Sequence, residues 1–438
     1  MLGRRVVVTG LGAVAPNGVG LPAFRQALKA GRSGIRALEE LRELNFACQI
    51  GGIPPLAEEQ VLELLPYSFY DKLNEAMVYA ALAALECARS AGLEVDLERD
   101  LREGATDYSC GAVIGAGMGG LDTVLDELVP VLEEAPDAAP GRGLLPLGAD
   151  GVPKVMGSGV SVTVGRLLGL GAQVTSNSSA CCTGTEALFE GWKHLQLGLA
   201  DAMYVGGVES SSVGVWAGFD AMRNVLCSTY NELPERGSQP MGAGACGFVP
   251  GSGAGVLRLE TLEAARARGA PILAEVLAAF SNSGGQRQGG SMTFPNREGV
   301  VRCVRRTLEL GRVDPADVTL INGHLTSTGA DPLEVSEWLE ALKVPPQRFP
   351  PIQSTKSMIG HALGAAGALE LVALVDQLAE GYIHPSINCE RVHPEIAPIE
   401  ASIARELRLG VEHRVALKSS FGFGDVNACV ALRRWDGE

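Results

Sequence analysis

Basic residues are scarce in this chain. Its 438 residues carry 36 Lys and Arg against 51 Asp and Glu, a formal net charge of −15. Such a balance argues against a general nucleic-acid binder, while leaving room for a local basic patch. Aromatic residues are also few, at 5%. There is no CxxC pair and no HExxH, and the ten cysteines follow no regular spacing. Neither a zinc site nor a disulfide framework is expected, and reduced cytosolic thiols fit better. No uncharged apolar run reaches the ~18 residues that a membrane-spanning helix needs.

Apolar residues make up 46% of the chain and charged residues 20%, enough for a large packed core. The length allows two or three domains, or one large duplicated one. Glycine, at 56 residues with no fixed period, signals tight turns and close backbone approaches. The N-terminus faintly mimics a signal peptide. Its apolar run is short and broken by Thr9, Gly10 and Gly12, so a buried strand is expected there.

Short β-branched runs at 5–9, 111–114, 203–208, 317–322 and 414–417 read as strands buried on both faces. Helical patterns alternate with them. Residues 72–91 are Ala-rich, 296–310 have one apolar face, and 362–379 are apolar nearly all round and so central. The alternation predicts an α/β protein. A Gly-rich stretch at 251–255 divides it into halves, 1–255 and 256–438, with no repeat of residue identity. Residues 121–156 read as a surface excursion or lid.

Four segments carry residues suited to chemistry. In SNSSACCTG, Cys181 and Cys182 sit at the start of a helix, where unpaired N–H groups can stabilise a thiolate. The competing reading is two small buried cysteines at a turn. In GHLTSTGAD, His324 follows a strand and precedes Thr326 and Thr328. Strand ends in α/β folds are where ligands bind. In STKSMIGHALGAAGA, Lys356 and His361 flank a turn at Gly360. In KSSFGFGDVN, Phe421 to Gly424 form an aromatic turn ahead of a strand. One Cys, two His and one Lys suit a nucleophile–base site. By themselves they permit acyl transfer through a thioester or cysteine hydrolysis.

These motifs, in this order and nearly end to end, resemble the β-ketoacyl-ACP synthases, most closely the type II elongating condensing enzymes. The resemblance implies a thiolase fold, five layers α-β-α-β-α from two similar halves, the first carrying the nucleophilic cysteine and the second the two histidines and the lysine. It implies 3-oxoacyl-[acyl-carrier-protein] synthase activity in fatty-acid synthesis. An acyl group on Cys181 would condense with malonyl-ACP by decarboxylation. The alternative is a ketosynthase of a polyketide or polyene pathway, with a chain-length-factor-like partner. Cys181, His324, His361 and Lys356 match the catalytic residues. The N–H groups of Cys181 and Phe423 match the oxyanion hole. Thr326 and Thr328 match contacts to the phosphopantetheine arm, Phe423 matches the gate, and Glu334 an acid that helps hold the lysine. No metal or cofactor is implied, because the pantetheine arm arrives on the acyl carrier protein. A homodimer is implied, with a heterodimer possible, in the cytoplasm, with no nucleic acid or membrane partner.

The chain departs from the family pattern in places. The stretch SQPMGAGACGFVPGSGAG, residues 238–255, lacks the usual charges at Gln239, Gly242, Ala245, Cys246 and Ser252, which suggests replacement by packing. Asp425 replaces a glycine in the aromatic turn. It tolerates positive φ, and near the histidines it would favour their charged forms, altering gating or pH optimum. Leu325 stands where glycine is common. Lys72 and Arg223 fall where basic residues meet the acidic carrier, while Arg302, Arg305 and Arg306 read as a solvated helix face. His194, His384, His393 and His413 match no catalytic position. A non-catalytic partner subunit is disfavoured by the intact Cys181, and a Cys-His hydrolase by the full motif set.

Overall fold

The computed structural model describes residues 3–139 and 141–437. Its frame is ten strands: β1 (Val6–Ala15), β2 (Cys110–Ala116), β3 (Val174–Thr175), β4 (Ala202–Glu209), β5 (Gly253–Thr261), β6 (Ala274–Ser283), β7 (Val318–Asn322), β8 (Ile352–Gln353), β9 (Val415–Gly422) and β10 (Val426–Arg434). Their order across the mixed sheet is β8-β7-β9-β10-β6-β1-β5-β4-β2-β3, with the short strand Gly18–Val19 beside β1.

That order contains a repeat that residue identity conceals. In the first half β1, β5 and β4 pair antiparallel, then β4, β2 and β3 pair parallel. In the second half β6, β10 and β9 pair antiparallel, then β9, β7 and β8 pair parallel. The halves join where β1 pairs antiparallel with β6 over Val6–Val8. Residue 255 lies inside β5, a strand of the first half, so the strand order places the junction between Thr261 and Ala274.

Helices complete five layers. α1 (Glu75–Ser90) and α2 (Gly159–Leu168) cover the first half from outside, and α4 (Arg297–Gly311) and α5 (Asp331–Leu342) cover the second. Between the halves run α3 (Thr183–Gln196) and α7 (Leu363–Glu380), which touch each other and strands of both halves. A short α6 (Lys356–Ile359) precedes α7. The sequence explains the central position of α7. It is buried from Leu363 to Gln377 on every face, so it has no solvated stripe to turn outward. Small residues let the layers meet. A Cβ added to Gly207 of β4 would lie 2.2 Å from the carbonyl oxygen of Gly364. Strands β1, β2, β4 and β5 are buried along their whole length, as sheets covered on both faces require.

The expected strands and helices are all present, with ends shifted by a few residues. The excursion at 121–156 consists of short helical pieces that expose Leu125, Val129, Leu132, Leu144, Leu145 and Val152. No helix among the described residues is long and apolar enough to cross a membrane.

Candidate active site

The two central helices begin beside each other, and the site lies at their N-termini. Cys181 sits two residues before Thr183, the start of α3, and is 8% exposed. The turn that presents it is strained, with Ala180 at φ +49°. Gly422 makes the close approach possible. A Cβ there would fall 2.9 Å from the Ser179 carbonyl oxygen and 3.2 Å from the Cys181 nitrogen. The backbone N–H groups of Phe423 and Cys181 both face the thiol.

His361 sits two residues before Leu363, the start of α7, and is 3% exposed. Its Nδ1 accepts from the Leu363 N–H at 3.3 Å. An acceptor Nδ1 on a neutral ring places the hydrogen on Nε2, which is then a donor. His324 lies on the loop after β7. Its backbone N–H donates to Glu334 Oε1 at 2.7 Å, and its carbonyl accepts from Lys356 Nζ at 2.6 Å. The imidazoles of His324 and His361 meet edge to face, with centroids 5.3 Å apart. One ligand atom from each of Cys181, His324 and His361 lies within 4.8 Å of the others.

Electrostatics favour neutral forms. Burial pushes the Cys181 thiol up to about 12, against the opposing pull of Lys356. The helix N-terminus therefore does not create a resting thiolate, contrary to the simplest expectation from the sequence. Burial also holds His324 and His361 well below the usual histidine value. The charges of Lys356 and Lys418 reinforce this at both rings, and His361 adds to it at His324.

A cavity of about 280 Å³ opens onto these groups. Cys181, His324, His361, Thr326, Thr328 and Phe423 all line it. The Thr326 and Thr328 hydroxyls lie 3.0 Å apart on its wall. The Phe423 ring packs edge to face on Phe219, with centroids 6.0 Å apart. Leu325 adopts φ +27°, which accounts for glycine suiting that position, and its side chain is fully buried. Arg223 is exposed and precedes the cavity-lining Asn224 and Val225, whereas Lys72 is not among the lining residues.

Three expectations need correction. Glu334 does not hold the lysine. Its two oxygens accept from the N–H groups of His324 and Leu325, each at 2.7 Å, and so fix the histidine loop. The acid that holds Lys356 is Glu370 of α7, 2.5 Å away, with both groups buried. Asp425 does not turn toward the histidines. It is fully buried at φ +60°, and its carboxylate accepts from the N–H groups of Gln286 and Asn296, each at 2.8 Å. It thereby ties the aromatic turn to the loop before α4. The stretch 238–255 is not held by apolar packing alone. The Gln239 N–H donates to Ser327 Oγ at 2.9 Å, Ser238 Oγ to the Lys356 carbonyl at 2.8 Å, and the Met241 N–H to Asp331 at 2.9 Å.

Three charged groups near the site have no counterpart in the sequence reading: Glu370, Lys418 and Glu209. Glu370 left a signal, a carboxylate inside an otherwise apolar helix. Glu209 accepts from the N–H groups of Gly117, Met118 and Gly364, and burial pushes it up to about 7. On α4, Arg297 pairs with Glu340 at 2.9 Å and Arg306 with Glu309, in keeping with a solvated face. His194 bonds to Gln173 and His384 to Thr355, away from the cavity.

Residues 3–265 match the β-ketoacyl synthase N-terminal domain, and residues 273–390 its C-terminal domain. The chain belongs to the β-ketoacyl synthase family. It is 34% identical over 436 residues to 3-oxoacyl-[acyl-carrier-protein] synthase 1 of Haemophilus influenzae, covering 99% of this chain and 100% of the relative. The fold is similar to that of a β-ketoacyl synthase from Burkholderia phymatum. The TM-score is 0.87 at 27% identity, with 99% of this chain and 100% of that one covered. It is also similar to a type II polyketide ketosynthase solved in complex with its acyl-carrier protein. There the TM-score is 0.82 at 27% identity, with coverage of 99% and 100%. The fold is the thiolase type, and the family's enzymes are acyl-transferring condensing enzymes.

The trio of Cys181, His324 and His361 is also the only group among the described residues with the donor set and spacing to hold a metal ion. A soft divalent cation there would compete with the chemistry the family performs.

Proposed function

We propose that this synthase forms 3-oxoacyl thioesters by decarboxylative condensation of malonyl-ACP with an acyl group held on Cys181, in fatty-acid synthesis. The observation that carries the assignment is the cavity in which the Cys181 thiol meets two backbone N–H donors and two neutral histidines. The Cys181 sulfur attacks the acyl thioester, the pantetheine sulfur leaves, and the thiol proton departs with it. The N–H groups of Cys181 and Phe423 receive the charge that gathers on the carbonyl oxygen. Malonyl thioester then loses CO2, and the electrons of the broken bond pass to its thioester oxygen. His361 Nε2–H, with neutral His324 beside it, stabilises that enolate, a charge absent from the ground state. The enolate carbon bonds to the acyl carbon, the bond from that carbon to the Cys181 sulfur breaks, and the expelled thiolate takes a proton from solvent to restore the thiol.

No metal or redox group is needed, since loss of CO2 itself supplies the carbanion. The Thr326 and Thr328 pair suits the polar end of the pantetheine arm, and Phe423 suits a gate. The relatives named as acyl-carrier-protein synthases and the ketosynthase solved with its carrier support an acyl carrier protein as partner, and the family resemblance alone adds a homodimer in the cytoplasm to the proposal. The resemblance to a polyketide ketosynthase keeps a specialised pathway, with a related subunit, as the second reading.

A mass spectrum of the carrier after incubation with acyl-carrier and malonyl-carrier tests this. A 3-oxoacyl carrier that vanishes with Cys181→Ala is the expected result. Acetyl-carrier alone points to the second reading, with a missing partner subunit. An unchanged carrier overturns the assignment.

A further inference from the structure

Of the ten cysteines, nine are buried and Cys246 alone is partly exposed. Its Sγ lies 3.0 Å from the Sγ of Cys227, 19 positions earlier in the chain. The backbone fixes this meeting. Leu226 and Phe248 form a parallel bridge. Within it the Cys227 N–H donates to the Phe248 carbonyl at 2.9 Å, and the Phe248 N–H to the Val225 carbonyl at 3.0 Å. Gly247 lets the two segments touch. It sits at φ +132°, and a Cβ there would lie 2.5 Å from the Leu226 carbonyl carbon. Sulfurs in a disulfide are about 2.0 Å apart, so the two thiols have about 1 Å left to close, a distance that side-chain rotation covers.

The pair also differs chemically from the other thiols. Burial pushes Cys48, Cys110 and Cys389 up to about 11, and Cys181 and Cys429 up to about 12. Cys246 moves the other way, because its sulfur accepts from the Cys227 thiol and then from Thr229. The same contact raises Cys227. Thiolates are the form that peroxides oxidise, which makes Cys246 the attacking group and Cys227 its resolving partner.

The two cysteines stand directly behind the cavity wall. Asn224, Val225 and Phe248, each two or three residues from one of them, line the cavity. The Phe248 ring packs edge to face on His361 and on Phe219, with centroids 5.2 Å apart in both cases, and Phe219 in turn meets Phe423. Arg223 is already held at φ +51°, so the wall segment has little slack.

We propose that Cys227 and Cys246 are an oxidation site, a dithiol that a hydroperoxide converts into a disulfide pinning the cavity wall. The Cys246 thiolate attacks one peroxide oxygen, the O–O bond breaks, and the second oxygen leaves as hydroxide. Cys246 is then a sulfenic acid. The Cys227 sulfur attacks the Cys246 sulfur, and the thiol proton and sulfenic hydroxyl leave together as water. Two thiols are oxidised and one peroxide is reduced. A small dithiol reverses the bond by exchange, and in a reducing compartment such bonds are transient. The bond ties Val225 to Phe248 through their neighbours and removes the freedom that entry of an acyl chain requires. Its effect on rate rests on the condensation proposed above, but its formation does not.

The test treats the reduced full chain with graded hydrogen peroxide, blocks the remaining thiols under denaturing conditions and maps tryptic peptides by mass. Trypsin separates the two cysteines at Arg236. The expected product is a linked pair joining Cys227 to Cys246, two hydrogens lighter than its parts, with Cys48 and Cys181 recovered as thiols. Formation of 3-oxoacyl carrier falls about tenfold or more as the link forms, within the ~100-fold that a 1 Å displacement at a site can cost, and dithiothreitol restores it. Cys246→Ser and Cys227→Ala each keep the reduced rate and lose both the link and the inhibition at that dose. Recovery of both thiols at doses that already oxidise Cys181 overturns the proposal, and so does a link from Cys246 to Cys48. A Cys227–Cys246 link that leaves the rate unchanged overturns its hold on the cavity wall. A link that forms and reverses in a protein that makes no 3-oxoacyl carrier when reduced counts against the condensation assignment alone.

Discussion

The two halves of this molecule have the same strand order and pairing but unlike chemistry. Cys181 stands two residues before α3, and His361 stands two residues before α7, at equivalent places in the repeat. A duplicated fold brings two helix N-termini face to face, and each can serve a different group. In the first half, N–H groups face a thiol that burial keeps protonated. In the second, the first N–H of α7 binds an imidazole nitrogen and fixes its tautomer. Charge is divided unequally as well. The buried lysines and the glutamate between them all belong to the second half. Thus one half supplies the nucleophile and the other the electrostatic field, which lets each be removed separately.

Cys181→Ala breaks the first half's share. Condensation should fall at least about 1,000-fold, because no covalent acyl intermediate can form. Decarboxylation of malonyl-carrier should persist, since its donors lie in the second half, and carrier mass spectra distinguish the two outcomes. His361→Ala is the converse, with decarboxylation reduced about 100- to 1,000-fold for one lost donor. Acylation of Cys181 by an acyl donor, read by intact-protein mass, should change far less.

Glu370→Gln should cost about 3–5 kcal/mol of stability in denaturant unfolding, because it leaves two buried ammonium groups without their counter-charge. The pH dependence of stability has a definite sign. His324 and His361 are held well below the usual value near 6.5 in the folded chain, while the unfolded chain binds protons below about pH 6.5. Their contribution is therefore intact above that pH, and stability falls as the pH drops below it. Denaturant midpoints at pH 7.5, 6 and 5 check this.

The smallest effect is expected at Asp425. Asp425→Asn weakens two charge-assisted bonds to backbone N–H groups, a loss of about 1–2 kcal/mol. It should loosen the aromatic turn while leaving the acid limb of decarboxylation in place, because the carboxylate points away from the histidines. A shifted acid limb would refute that geometry.

Much of the site was legible because chemistry leaves marks on local sequence. Cys181, His324, Lys356 and His361 lie in short motifs rich in glycine, serine and threonine, at turns where strands and helices end. The N–H donor of Phe423 was legible through the glycines on either side of it. Supporting charges were harder to read. Glu334 could be seen, but not which groups its oxygens reach, since its partners are backbone N–H groups ten and nine residues away. Asp425 was read from its neighbours along the chain, whereas its partners come from a loop more than 120 residues earlier. Lys418 left no local mark at all. It sits at the head of SSFGFG, and only the meeting of β9 with α7 shows what it pairs with.

The sequence alone determined the buried strands, the all-apolar central helix and the residues able to react, because periodicity and turn chemistry are local. Tertiary structure decided the internal repeat, since strand order depends on long-range pairing that shared residues no longer record. It also decided protonation. A thiol at a helix N-terminus is pulled toward thiolate by local dipoles and pushed toward thiol by burial. How deeply the surrounding layers bury it is a property of the assembled fold.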